Sequence, residues 1–181
     1  LRDQKQSLGT VVPIIHGPAD LLPEAVRKVA EQLYPVLLAV PERALGEGIA
    51  ARARSVRKIR RALDKLDFYC PLHLLGTGNP ISIIAYTIAV ADSFDGLEWC
   101  QTVVDHETAH LFHFQHWDFV REQTAWGSNG TFPYIQAALM HNLVFYAKLM
   151  PRLHEATRNG HLYEMLASFI SEKQVKIIRD A

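Results

Sequence analysis

The stretch Leu74–Cys100, LLGTGNPISIIAYTIAVADSFDGLEWC, decides how the chain is read. An apolar run ends in Gly76-Thr77-Gly78, Asn79-Pro80 opens a segment of helical character, and a second short run carries Asp92 and Asp95 into Gly96-Leu97-Glu98-Trp99. The order is strand, glycine turn, helix, strand. In a closed parallel barrel, side chains at the carboxyl ends of the strands face the active site, so an acidic residue ending a short apolar strand is a candidate for chemistry. Asp95 is that residue, although an aspartate in this position also suits a turn or a helix cap.

Working outward, the same alternation recurs. Leu8–His16, LGTVVPIIH, reads as a buried strand. A break at Gly17-Pro18 follows, then a helix from about Pro23 to Leu33 and a second unalternating apolar run, Pro35–Val40. Runs of this kind suit parallel strands covered on both faces. A helix from about Ile49 to Leu66 places Ile49, Ala53, Val56, Ile59, Leu63 and Leu66 on one stripe. A third strand falls near Pro71–Leu75, a third helix near Pro80–Val90 and a fourth strand around Phe94–Trp99. This predicts an α/β chain of about four βα units, the carboxyl-terminal half of a (β/α)8 TIM barrel, because a complete barrel takes roughly 250 residues. Residues 1–125 are expected to form the half-barrel and residues 126–181 a carboxyl-terminal helical segment.

Composition bounds the function. With 181 residues, 49% hydrophobic and 21% charged, the chain can bury a substantial core. Formal net charge is zero, so nucleic-acid binding needs a local patch. The helix after Gly48 offers one in Arg52, Arg57, Arg60 and Arg61, flanked by Arg54, Lys58 and Lys65. Such a run is either the solvated side of an amphipathic helix or a set of phosphate contacts. Two cysteines, Cys70 and Cys100, without C-x-x-C spacing, indicate neither a disulfide framework nor a cysteine-rich metal site. Leu1 is not an initiator methionine, no cationic-apolar leader is seen, and no apolar run reaches bilayer-crossing length. These features lead to the expectation of a cytoplasmic protein with no membrane partner, read as a fragment of a longer chain.

Gly76-Thr77-Gly78-Asn79-Pro80 followed by Ala91-Asp92-Ser93-Phe94-Asp95 resembles the G-x-G-x-P and G-x-D-x-F-D segment of the tRNA-guanine transglycosylases. These are TIM barrels that exchange a guanine in nucleic acid for a 7-deazaguanine. The resemblance continues in order. Val11–Gly17 is similar to the family's I-V-Q-G-G strand, with His16 where a base-reading glutamine stands, and Leu37–Glu42 is similar to G-G-L-A-V-G-E. Met140–Tyr146 with Leu149-Met150, then Leu153–Leu162, resemble the closing I-H-N-L-x-x-Y and L-M helices. The resemblance implies Asp95 as the nucleophile, with Asp92 as possible support. It implies a substrate pocket of His16, Leu38, Glu42, Gly76 and Gly78, in which Glu42 senses the substituent on the incoming base. The implied partners are DNA or tRNA and a 7-deazaguanine base such as preQ0 or preQ1, with a homo- or hetero-oligomer as a further expectation.

The chain also departs from the family. The zinc cluster C-x-C-x-x-C has no counterpart, because no cysteine follows Cys100, so no metal or other cofactor is expected even though His141 stands in an I-H-N-like context. The family's T-R-N-A-R loop is replaced by Glu98–Thr108, EWCQTVVDHET. In both respects the chain looks closer to the zinc-less DNA 7-deazaguanine transglycosylases. Two other functions are compatible with the residues. One is a non-catalytic nucleic-acid-binding subunit that works with a catalytic chain. The other is a zinc protease, because His106-Glu107-Thr108-Ala109-His110 fits H-E-x-x-H with His116 beyond it. Against the protease, Leu111–Phe114 alternates like a hairpin strand and no helix start precedes His106.

Overall fold

The computed structural model of the chain describes residues 11–128, 130 and 132–181. These fall into two compact units: residues 11–76 with 89–95 and 181, and residues 77–88 with 96–128, 130 and 132–180. The boundary expected near residue 125 lies inside the second unit.

The first unit is built on a parallel sheet. α1 (Leu22–Leu33) begins with proline in its first turn and buries Leu22, Val26 and Ala30, a four-residue spacing that forms a single stripe. Tyr34, at φ +48°, ends it and returns its N–H to the Ala30 carbonyl. β1 (Leu38–Pro41) is buried at every position, as a strand covered on both faces must be. α2 (Gly48–Leu63) packs against α1 and buries Ala53, Val56, Ile59 and Leu63, together with Arg60. β2 (Leu72–Leu75) and β3 (Ser93–Phe94) complete a sheet in the order β1-β2-β3, with Leu38 opposite Leu72, Pro41 opposite Leu75 and Leu74 opposite Phe94. A further parallel bridge joins Ile14 to Ala39, with Ile15 N–H donating to the Ala39 carbonyl and Ala39 N–H to that of Pro13. The first expected strand thus narrows to residues 13–15, and its Leu8–Thr10 part lies outside the described residues.

The second unit begins with α3 (Pro80–Ile88), whose Asn79 side chain caps the Ser82 N–H at 3.1 Å and which packs against the later α7. The strand expected over residues 94–99 does not extend past Phe94. Gly96 lies tight against Gly78, where a Cβ would collide with the Gly78 backbone, and α4 (Glu98–Gln101) follows instead. β4 (Thr102–Val104) and β5 (Leu111–His113) form an antiparallel hairpin. Two short 3-10 turns and α5 (Ala125–Ser128) lead to α6 (Tyr134–Asn159), a single helix of 26 residues over much of the region read as separate closing helices. Val103, Trp117, Val120, Ala137 and Ala138 form a core cluster here. α7 (Leu162–Ala167) and α8 (Glu172–Arg179) end the chain, the latter with a Ser171/Gln174 capping box. Among the described residues, no helix is long and apolar enough to cross a membrane.

Candidate active site

Parallel pairing fixes one edge of the sheet as the carboxyl edge. His16 follows the bridge at Ile14, Glu42 follows β1, Gly76 follows β2 and Asp95 follows β3. All four sequence-predicted residues therefore come to the same edge of the first unit. Asp95 is anchored there, since the Gly76 N–H donates to its Oδ1 at 2.7 Å and its own N–H donates to the Leu74 carbonyl at 3.3 Å. Gly76 adopts φ +78°, a conformation open to glycine at little cost, which aims its amide at the carboxylate. The Asp95 side chain remains 56% exposed, which leaves it accessible to a substrate.

Two residues not foreseen from the sequence complete the cluster. His73, in the middle of β2, lies 2.9 Å through Nδ1 from Ser93 Oγ and 3.7 Å through Nε2 from Asp95 Oδ2. Ser93 and Asp95 are two residues apart on one strand line and so share a face, and His73 is the register partner of Ser93. A histidine inside an apolar strand was the available signal, but the partner strand's register was not legible.

Several expected site residues lie elsewhere. Leu38, expected to line the substrate pocket, is wholly buried at the amino end of β1, paired with Leu72 at the edge opposite Asp95. Asp92, expected to support catalysis, also sits at the amino edge. Its Oδ2 accepts from Arg60 Nη2 at 2.6 Å and Leu72 N–H at 2.7 Å, and its Oδ1 accepts from the Tyr69 hydroxyl. Arg60, expected on a phosphate-contacting face, has a side chain only 5% exposed. It spends its remaining donors on the Cys70 and Val90 carbonyls, while the Tyr69 ring lies over its guanidinium. Burial, reinforced by the Asp92 hydrogen bond, pushes the Tyr69 phenol up to about 12. Burial also raises the Cys70 thiol.

Arg52 pairs with Glu42 at 2.7 Å and donates to the Gly46 carbonyl, so these two site residues are tied to each other. Arg57 is half-buried, whereas Arg61 is exposed in company with Arg54, Lys58 and Lys65. Gly78 belongs to the second unit. A Cβ there would fall inside the Glu98 carboxylate, and its carbonyl accepts from the Tyr146 hydroxyl at 2.6 Å. Burial and the Glu98 charge raise the Tyr146 phenol.

The H-E-x-x-H stretch forms the turn of the β4–β5 hairpin, so His106 and His110 lack the common helix face that zinc binding at this spacing uses. Asp105 winds the turn, accepting from Glu107 N–H at 2.9 Å, the Thr108 hydroxyl at 2.8 Å and the Gln123 amide at 2.9 Å. Burial opposes ionisation of Asp105, but these bonds hold its carboxyl below the usual range. His106 donates through Nε2 to the His141 carbonyl at 3.1 Å, and burial lowers its pKa. Beside it opens a cleft of about 340 Å³ lined by Phe145 and Leu149, with Glu107, Lys148 and Arg152 also on its walls.

His141 and Asn142, on α6, clasp the two backbone groups of Val104. His141 Nε2–H donates to the carbonyl at 2.7 Å and Asn142 Oδ1 accepts from the N–H at 3.0 Å. The Thr124 hydroxyl donates to His141 Nδ1 at 3.1 Å, which leaves the ring neutral with both nitrogens engaged. Burial, chiefly, depresses the His141 pKa to about 4. Neither ring nitrogen of His141 is thus left to bind a metal ion. Among the described residues, no group of three or more His, Cys, Asp and Glu is disposed to hold a metal ion. A scan of protein-family models gives no match to the chain, and a search of curated proteins gives none.

Proposed function

We propose that the chain is the carboxyl-terminal half of a (β/α)8 transglycosylase that exchanges guanine in nucleic acid for a 7-deazaguanine, with Asp95 as nucleophile. The observation that carries this reading is the anchored, accessible Asp95 carboxylate at the carboxyl edge of sequentially ordered parallel strands, shared with His16, Glu42 and Gly76. Sequential neighbours running in parallel is the strand arrangement of a barrel wall, and the carboxyl edge is where barrels carry their sites.

The chemistry follows from the carboxylate. The C1′–N9 bond breaks with its electron pair leaving on the purine, which takes up a proton from water. An Asp95 oxygen bonds to C1′, trapping the oxocarbenium-like sugar as an ester. The incoming base then gives its N9 proton to the hydroxide left by that water and attacks C1′, and Asp95 departs as carboxylate. The target base must first leave its stack. The exposed Arg54, Lys58, Arg61 and Lys65 face supplies positive charge for a phosphate backbone. DNA is the preferred acceptor and tRNA the other, because Glu98–Thr108 replaces the loop that grips tRNA.

The test is incorporation of labelled guanine into duplex DNA or tRNA by the full-length protein and its Asp95→Ala variant. Label in one polymer with the wild type and none with the variant supports the reading. Equal incorporation by the two proteins refutes it.

A further inference from the structure

Resting on that reading, we propose that His73 is the positioning residue for Asp95, presenting an N–H to Oδ2 so that the carboxylate is released when the covalent intermediate is discharged. The Asp95 carboxylate beside Nε2 favours the proton on that nitrogen, and Nδ1 then accepts from the Ser93 hydroxyl 2.9 Å away. Nε2 in turn faces Oδ2 at 3.7 Å, while Oδ1 is held by the Gly76 amide at 2.7 Å. The two carboxylate oxygens thus face two different N–H groups, one main-chain and one side-chain. Among the described residues, Asp95 is the acidic group within ion-pair distance of the imidazole, and the β1 neighbour of His73 is the uncharged Ala39.

This arrangement acts on one half of the reaction more than the other. When the sugar is esterified to Oδ2, the aspartate carries no charge and Nε2–H gains little from it. When the incoming base displaces the ester, charge returns to both oxygens, and an N–H within 3.7 Å of Oδ2 stabilises it. The ring is 14% exposed, so packing within β2 holds Nε2 in place beside the more open carboxylate. His73 therefore favours discharge of the intermediate over its accumulation. A side chain that only filled space in β2 would leave the partition of the intermediate unchanged.

The matched variants are His73→Gln, which retains an N–H donor, and His73→Met, which has similar length and no such donor. Each full-length protein is mixed with labelled acceptor nucleic acid, quenched in acid, and assayed for protein-bound label before and after a chase with guanine. The expected result is that His73→Met discharges its adduct about tenfold more slowly than wild type and holds more of it at steady state, whereas His73→Gln discharges within about threefold of wild type. Equal discharge by the two variants overturns the role of His73 while leaving the Asp95 reading intact. Absence of any adduct with wild type overturns the Asp95 reading itself.

Discussion

The Gly76 backbone N–H donates to Oδ1 of Asp95 across 2.7 Å, so the turn that ends β2 holds the carboxylate that ends β3. Gly76 sits at φ +78° with open space where a Cβ would lie, so replacing it by alanine meets conformational strain rather than a clash. Gly76→Ala is expected to cost about 1–2 kcal/mol of stability and to slow adduct formation at Asp95 by displacing the anchoring amide. Denaturant unfolding and the acid-quench assay measure the two effects. An unchanged adduct rate would show that the amide is not needed.

Asp92 is predicted to matter to the fold and not to the reaction. Removing one partner of a largely buried pair strands the other, so Asp92→Ala should cost about 2–4 kcal/mol, with Arg60 left buried and hydrogen-bonded to the Val90 and Cys70 carbonyls. Adduct formation measured well below the melting temperature should stay within a few-fold of wild type. A variant of normal stability that cannot form adduct would restore Asp92 to the catalytic machinery.

Val90 is a β-branched residue at φ +70°, half exposed, with its carbonyl bound to Arg60. Such a conformation is costly for valine and easy for glycine. Val90→Gly should therefore stabilise the protein by up to about 1 kcal/mol, the relieved strain being partly offset by the greater freedom of glycine in the unfolded chain. A loss of more than about 1 kcal/mol in urea unfolding would contradict this account of the residue.

His141 gives stability a pH dependence. Its folded pKa, depressed by burial to about 4, lies below an unfolded value near 6.5, so the unfolded chain takes up the proton first. The contribution is full above about pH 7, declines as pH falls towards 4 and is gone below that. At ~1.4 kcal/mol per unit, its ceiling is about 3 kcal/mol. His106, shifted in the same direction by burial, adds to the decline. Urea unfolding across pH 4–7 should show this fall, and His141→Gln should flatten much of it. Identical pH profiles would place the dependence elsewhere.

Much of the first unit was legible in the sequence. α1, α2 and β1 rest on local signals, namely four-residue apolar spacing, an early proline and unbroken apolar runs. Asp95 is legible because it closes a short apolar run, whereas His16, Glu42 and Gly76 rest on the resemblance; parallel pairing brings all four to one edge. Arg60 was misplaced even though Ala53, Val56, Arg60 and Leu63 share one helical spacing. The charge of its side chain outweighed its position, and its partner Asp92 lies 32 residues away. The hydrogen bonds of His73 depend on strand register, and those of His141 reach 37 residues back to Val104. Neither distance leaves a trace in local pattern.

The most direct measurement is acid-quenched mass spectrometry of the full-length protein mixed with acceptor nucleic acid, followed by nuclease and protease digestion and mapping of any nucleoside adduct. The predicted result is a single modified peptide carrying the sugar on Asp95, lost in Asp95→Asn and discharged by added guanine. An adduct on another residue, or base exchange that proceeds in Asp95→Ala, would contradict the account.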